Sequence, residues 1–270
     1  MKLFLKYWQI LFVLIFLASC ATSPTGRKQF MMVNDSAIEP MAAQSFDKMK
    51  VEGNISHNSA LNRYVECVVQ PLIQQASTRY TFLPASWEIV VFEKEDINAF
   101  AMPGGKVGVY TGLIKLTETP DQLAAVVGHE IGHVVARHAA ERMSNAQVAA
   151  LAMTATGVVL AENKNQRAIL AALGLGAQVG ILLPFSRLHE SEADKIGQEL
   201  MARAGFDPSH AIRLWELMGS KGGDRPLEIL STHPEPRLRA QRLTDGLVAI
   251  TPLYQQAIQS GRQPRCIKPI

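Results

Sequence analysis

Cysteine is scarce, with three in 270 residues at Cys20, Cys67 and Cys266. That excludes a small disulfide scaffold, which needs many closely spaced pairs. Charge is also sparse. Charged residues make up 19% of the chain and the net charge is only +3, against 47% hydrophobic residues. A disordered chain would show the opposite balance. A nucleic-acid binder normally carries a large basic excess, so no nucleic-acid partner is expected. Long apolar runs are missing at the start of the chain, where Ile10–Ala18 reaches nine residues. An ordinary membrane-spanning helix needs roughly 18 or more. What remains is a chain long enough to bury a core without metals or disulfides as staples.

The first residues read as an export signal. Lys2 and Lys6 precede the apolar run without any acid, and Leu17-Ala18-Ser19-Cys20 follows it. A basic start, a short apolar stretch and small residues make a signal peptide. A retained anchor helix is the alternative. The tetrapeptide resembles the bacterial lipobox, which implies cleavage before Cys20 and lipidation of that residue. Ala21 follows where an Asp would argue for inner-membrane retention, so the expected address is the outer membrane, facing the periplasm. Loss of residues 1–19 removes two lysines and no acid, which leaves 251 residues and a net charge of +1. In that oxidising compartment Cys67 and Cys266 could pair and tie the C-terminal tail to an early helix, or stay two separate buried thiols.

The expected organisation is a signal peptide at 1–19, a lipidated, irregular tether at 20–35, and one metallopeptidase domain at 36–270. Helical patterns cover 36–52 and 59–78, and strand patterns cover 87–92 and 106–110, the latter after the turn Pro103-Gly104-Gly105. From 119 onward helical signals dominate, so the fold class is α+β and mostly helical. The apolar stretches 146–161 and 168–185 could form a membrane hairpin. Glu162, Lys164 and Arg167 between them favour packed or membrane-skimming helices instead.

The chemistry concentrates at His129-Glu130-Ile131-Gly132-His133. Thr119-Pro120-Asp121-Gln122 offers an N-cap, a proline at the first helical position and a capping-box glutamine. Apolar residues then recur at helical spacing through Val135. On such a helix His129 and His133 lie about 40° apart on one face, while Val127, Ile131 and Val134 point away toward a core. Gly132 and Ala136 near the histidine face allow another element to approach closely. Two histidines four apart can bind one Zn²⁺, and Glu130 is placed as a general base. Only seven residues of the 270 are His. A chance match is therefore expected on the order of 0.01 times per chain. His138, about 180° from His129 on a continuing helix, is not expected to be a ligand.

Zinc needs a third protein ligand. His189-Glu190-Ser191-Glu192-Ala193-Asp194 opens another helix that should run to about Arg203. Glu190 and Asp194 share a face, which suits a ligand and a carboxylate holding a metal-bound imidazole behind it. Glu192 as the ligand is the alternative; otherwise it reads as a solvated acid favoured by the helix dipole.

HExxH followed by an ExxxD helix resembles the gluzincin metallopeptidases. Within them the chain resembles the group of HtpX and the CAAX prenyl proteases, and most closely its periplasmic lipoprotein branch, such as LoiP and the catalytic domain of BepA. Asn98–Gly105, Ala204–Pro208, and Ser231-Thr232-His233-Pro234 with Arg237 also resemble that group's segments. The resemblance implies a zincin-like domain with a small β-sheet beside the HExxH helix and one Zn²⁺ on His129, His133 and Glu190. It implies Asn98, Ala99, Phe100 and Ala101 as a rim strand pairing with an extended substrate. His233 would stabilise the oxyanion or close the metal site in a latent state, or would merely begin a helix. Arg237 would contact a substrate carbonyl or brace its loop. The implied role is quality control of misfolded envelope proteins, with the outer-membrane assembly machinery as a partner. A chaperone with a latent or structural zinc site, and a zinc hydrolase acting on a non-protein amide, are the competing classes.

Overall fold

The computed structural model describes residues 20–157, 187–221, 229, 233 and 236–269. The signal segment and the second apolar stretch, 168–185, lie outside these residues. Among the described residues no helix is long and apolar enough to cross a membrane.

The chain opens with a strand pair, β1 (Cys20–Thr22) antiparallel to β2 (Lys28–Phe30). Helices α1 (Asp35–Glu52) and α2 (Ser59–Arg79) follow, then β3 (Glu88–Phe92), β4 (Ala99–Met102) and β5 (Lys106–Tyr110). The rest is helical: α3 (Thr111–Leu116), α4 (Pro120–Val135), α5 (His138–Gly157), α6 (Arg187–Ala204), α7 (Ser209–Lys221) and α8 (Pro236–Gln259). The architecture is the expected mostly helical α+β arrangement. Its three-stranded sheet has the order β3-β5-β4, with β3 parallel and β4 antiparallel to β5. This places β4 at the sheet edge, where it packs beside α4.

Helix α4 is the hub. Its Thr119 cap accepts a bond from the Gln122 N–H, and Pro120 takes the first turn. The Gln122 side chain reaches back one residue further than a capping box, accepting from the Glu118 N–H at 2.7 Å. Leu123, Val127 and Ile131 are fully buried against a core that includes Val68 and Leu72 of α2 and Val107 and Val109 of β5. Phe46, Phe92, Phe100 and Tyr110 form a second cluster at the sheet.

One expectation changes in the fold, and one open alternative is decided. The tether at 20–35 is not irregular. The β1–β2 pair and the residues after it dock on the start of α5. Gln29 donates to the Ala136 carbonyl at 2.7 Å, and Ser144 accepts from the Met32 and Val33 N–H groups at 2.9 Å each. Short polar residues that looked like linker composition are here satisfied by a neighbouring helix, which sequence patterning cannot reveal. Cys67 on α2 and Cys266 in the tail form a disulfide across 199 residues of sequence separation. In the chain-entropy picture a loop that long contributes about 5 kcal/mol.

The contact that sets the site is the crossing of α4 and α6. A Cβ at Gly197 would stand 2.7 Å from the His129 backbone nitrogen, and one at Gly132 would stand 2.7 Å from the Ala193 carbonyl oxygen. The helices therefore meet backbone against backbone. Gly→Ala inside a helix ordinarily gains up to about 1 kcal/mol. Here we expect Gly197→Ala to lose about 1–3 kcal/mol in urea unfolding, as overpacked cores do; a gain in stability would show that the helices can separate freely.

Candidate metal centre

The α4–α6 crossing brings His129, His133 and Glu190 together, and His233, which precedes α8 in the chain, joins them. One donor atom from each lies within 4.8 Å of all the others. His129 Nε2 is 3.0 Å from His133 Nε2 and 3.2 Å from His233 Nδ1. Glu190 Oε1 is 3.3 Å from His133 Nε2 and 3.0 Å from His233 Nδ1. All four residues are buried.

The other nitrogens of the two α4 imidazoles explain their orientation. His129 Nδ1 lies 3.0 Å from Asp194 Oδ1, and His133 Nδ1 lies 2.8 Å from His138 Nδ1. A neutral imidazole has one N–H, and Asp194 fixes that of His129 on Nδ1. Arg239 Nη2 is a second donor to the same carboxylate, and it lies 2.8 Å from Nδ1 and 3.1 Å from Nε2 of the ring. His129 Nε2 so turns its lone pair toward His133 Nε2 at 3.0 Å. With both Nε2 atoms deprotonated, a metal cation fits between them. The nearby formal charge, Glu190 and Asp194 against Arg239, is negative as well. Two or three imidazole nitrogens and one carboxylate oxygen are a donor set suited to zinc.

Buried charges here are compensated in pairs. Arg239 is fully buried, places Nε 3.0 Å from Asp194 Oδ2 and Nη1 2.9 Å from Glu190 Oε2, and lies over the Trp215 ring. Burial works against charge on Glu190, but the imidazoles of His129, His133 and His233 outweigh it and hold the carboxyl well below its usual range. Burial likewise opposes charge on Asp194, and Arg239 and His129 pull its carboxyl down. Glu130 differs. Burial, with repulsion from Glu190, pushes its carboxyl up to about 7, against the opposite pull of His233. Its Oε1 has no hydrogen-bond donor among the described residues, and His233 Nε2 stands 3.4 Å away.

Edge strand β4 runs beside this carboxylate. Asn98 gives its carbonyl to the Tyr110 N–H. By the alternation of an antiparallel ladder, Phe100 also bonds toward β5, and Ala99 and Ala101 turn their peptide groups outward. Of Asn98, Ala99, Phe100 and Ala101, only the two alanines offer backbone groups to a substrate, and the Ala101 backbone also bonds Glu130.

Two sequence readings need correction, and a third holds for a different reason. Arg237 is exposed in the first turn of α8, and Arg239 occupies the site. Two residues apart on a helix means about 200°, so both cannot face inward. Glu192 is neither in the donor group nor solvated; it is buried and binds Arg27 and His138. His138 stays outside the donor group, as expected, but it stands behind His133. Helix α4 stops at Val135, and Arg137 takes φ of 57°, so α5 restarts in a new phase that swings His138 under His133. No local sequence signal marks that break.

The sequence comparisons agree with this geometry. A site built from an HExxH helix and a glutamate of a second helix is that of a metal-dependent hydrolase. The pattern of peptidase family M48 matches residues 59–246, and the chain belongs to that family. It is 38% identical over 179 residues to the mitochondrial metalloendopeptidase OMA1 of Arabidopsis thaliana, covering 66% of this chain and 35% of that one. It is 32% identical over 208 residues to the beta-barrel assembly-enhancing protease of Escherichia coli K12, covering 74% and 41% respectively. To the metalloendopeptidase OMA1 of Bos taurus it is 30% identical over 261 residues, covering 90% and 49%. The chain thus spans between a third and a half of these relatives' length.

Glu141, on α5, is buried, which opposes its charge, but the Arg27 fork and His189 bring its carboxyl down to about 2. Unfolded, it titrates near 4.3. On acidification the unfolded chain takes up the proton first, so stability present above about pH 4.3 is lost as pH falls toward 2. We expect the urea midpoint to drop across that window, and Arg27→Met to flatten the drop. An equally steep fall in the variant would place the acid sensitivity elsewhere.

Proposed function

We propose that the chain is a zinc-dependent metalloendopeptidase that hydrolyses peptide bonds in misfolded envelope proteins. The observation that carries it is the convergence of His129, His133, Glu190 and His233 beside Glu130, a carboxyl pushed up to about 7. His129, His133 and Glu190 would hold the zinc, with Asp194 and Arg239 bracing the His129 ring and the glutamate. Bound there, zinc would supply Lewis acidity to a water and to the scissile carbonyl. The chain's own groups do the rest. Glu130 takes a proton from the attacking water and returns it to the leaving amine, which a carboxyl near neutrality does in both directions. Ala99 and Ala101 pair with an extended substrate by their outward peptide groups, which tolerates many side chains.

His233 favours a gated enzyme. Its Nδ1 sits among the donors at 3.0 and 3.2 Å from Glu190 and His129, so it could fill the position a catalytic site leaves open. Four protein ligands would make the resting state latent, and displacement of His233 would open the fourth position.

The cellular setting is part of the same reading. The lipobox-like Leu17–Cys20 supports lipidation at Cys20 and attachment to the outer membrane, facing the periplasm. Similarity to the beta-barrel assembly-enhancing protease supports a partnership with the outer-membrane assembly machinery.

Glu130→Gln should keep its metal and lower turnover of unfolded casein about 10²–10⁴-fold. Normal, chelator-sensitive turnover in that variant would remove Glu130 as the base. His233→Ala should keep its zinc and raise basal casein cleavage several-fold, whereas a fall would assign His233 to the oxyanion rather than to latency.

A further inference from the structure

We propose that Arg27, on the turn between β1 and β2, is a positioning residue for the metal centre. It acts on the His133 imidazole through Glu192 and His138. The inference rests on reading the four-donor group as a metal site. Arg27 itself lies outside residues 59–246, which match the family.

The guanidinium spreads its donors over two buried carboxylates. Nη1 and Nη2 form a fork on Glu141 at 2.8 and 2.6 Å, and Nε donates to Glu192 Oε2 at 2.7 Å. Thr25 donates to the other Glu192 oxygen at 2.5 Å. Both oxygens of Glu192 are thereby held in place by the strand pair.

Glu192 passes this on. Its Oε2 lies 3.1 Å from His138 Nε2. As a neutral imidazole the buried His138 ring carries one N–H. The carboxylate draws that proton to Nε2. His138 Nδ1 is then an acceptor, 2.8 Å from His133 Nδ1. His133 must donate there, and its Nε2 is left with a lone pair aimed at His129 and Glu190. The opposite tautomer would set a lone pair against the Glu192 carboxylate and point a His133 N–H into the donor group, which would remove one ligand. Glu141 supports the same ring from its face. It accepts from His189 Nε2 at 3.1 Å, and His189 stacks on His138 with centroids 4.3 Å apart. The two carboxylates that Arg27 holds therefore fix both the tautomer and the plane of His138. Partners behind metal-binding imidazoles commonly set 10–100-fold in metal affinity.

The test uses the full chain and two readouts: zinc affinity by competition with a chromophoric chelator, and the His133 tautomer in the metal-free protein by nitrogen–proton correlation spectra. Metal-free wild type should show His133 protonated on Nδ1. Arg27→Met should weaken zinc binding roughly 10–100-fold and mix the His133 tautomers. Arg27→Lys should recover little, because an ammonium cannot fork to both acids. Asp35→Ala removes a different contact of the N-terminal segment, the 2.7 Å ion pair with Arg137, and should leave affinity within about threefold. His138→Phe keeps the ion pairs and breaks the relay, so it should reproduce the loss even if Arg27→Met fails to fold. Full affinity in His138→Phe or in a folded Arg27→Met, or an equal loss in Asp35→Ala, would overturn the proposal. If wild type binds no zinc, the metal reading fails, and the His133 spectra still decide the relay: mixed tautomers in wild type would overturn it.

Discussion

The structure depends on two helices meeting without side chains between them. Gly128 and Gly132 of α4 face Ala193 and Gly197 of α6, and the missing Cβ atoms let backbone touch backbone. That approach sets the reach of every group at the site. His129 and His133 project from one helix and Glu190 and Asp194 from the other, all on the faces the crossing brings together. A wider separation would leave Glu190 short of both imidazoles and Asp194 short of His129 Nδ1.

Closeness creates a second problem, which the surrounding residues solve. The crossing buries carboxylates and imidazoles away from water, where an uncompensated charge costs several kcal/mol. Arg239 answers Asp194 and Glu190 from α8, and Arg27 answers Glu141 and Glu192 from the N-terminal strand pair. Each arginine stands behind a different α4 histidine. The centre is thus held from two sides by elements far apart in the chain, one inside the span shared with peptidase family M48 and one before it.

Much of this was legible in advance, for identifiable reasons. The HExxH helix announced itself through its cap, its proline and an uninterrupted helical period. Glu190 was preferred over Glu192 because only Glu190 shares a face with Asp194, and the structure puts Glu190 in the donor group. The residues that escaped did so for two reasons, helix phase and misleading composition. His138 was placed by extending α4 past Val135, and the turn at Arg137 reset the phase. Arg239 was missed for Arg237 because the start of α8, and so its phase, was unknown. Arg27 sat in a stretch whose short polar residues read as tether.

The amino-acid sequence alone therefore determined the local chemistry: which residues share a helix face, which can bind metal, and where the HExxH helix begins. Those follow from periodicity and capping, which act within a few residues. Only the tertiary structure decided what stands behind each ligand, that Cys67 meets Cys266, and that the N-terminal strand pair belongs to the domain. Those are contacts between segments up to 199 residues apart, set by how helices pack and break, and no local pattern carries that information.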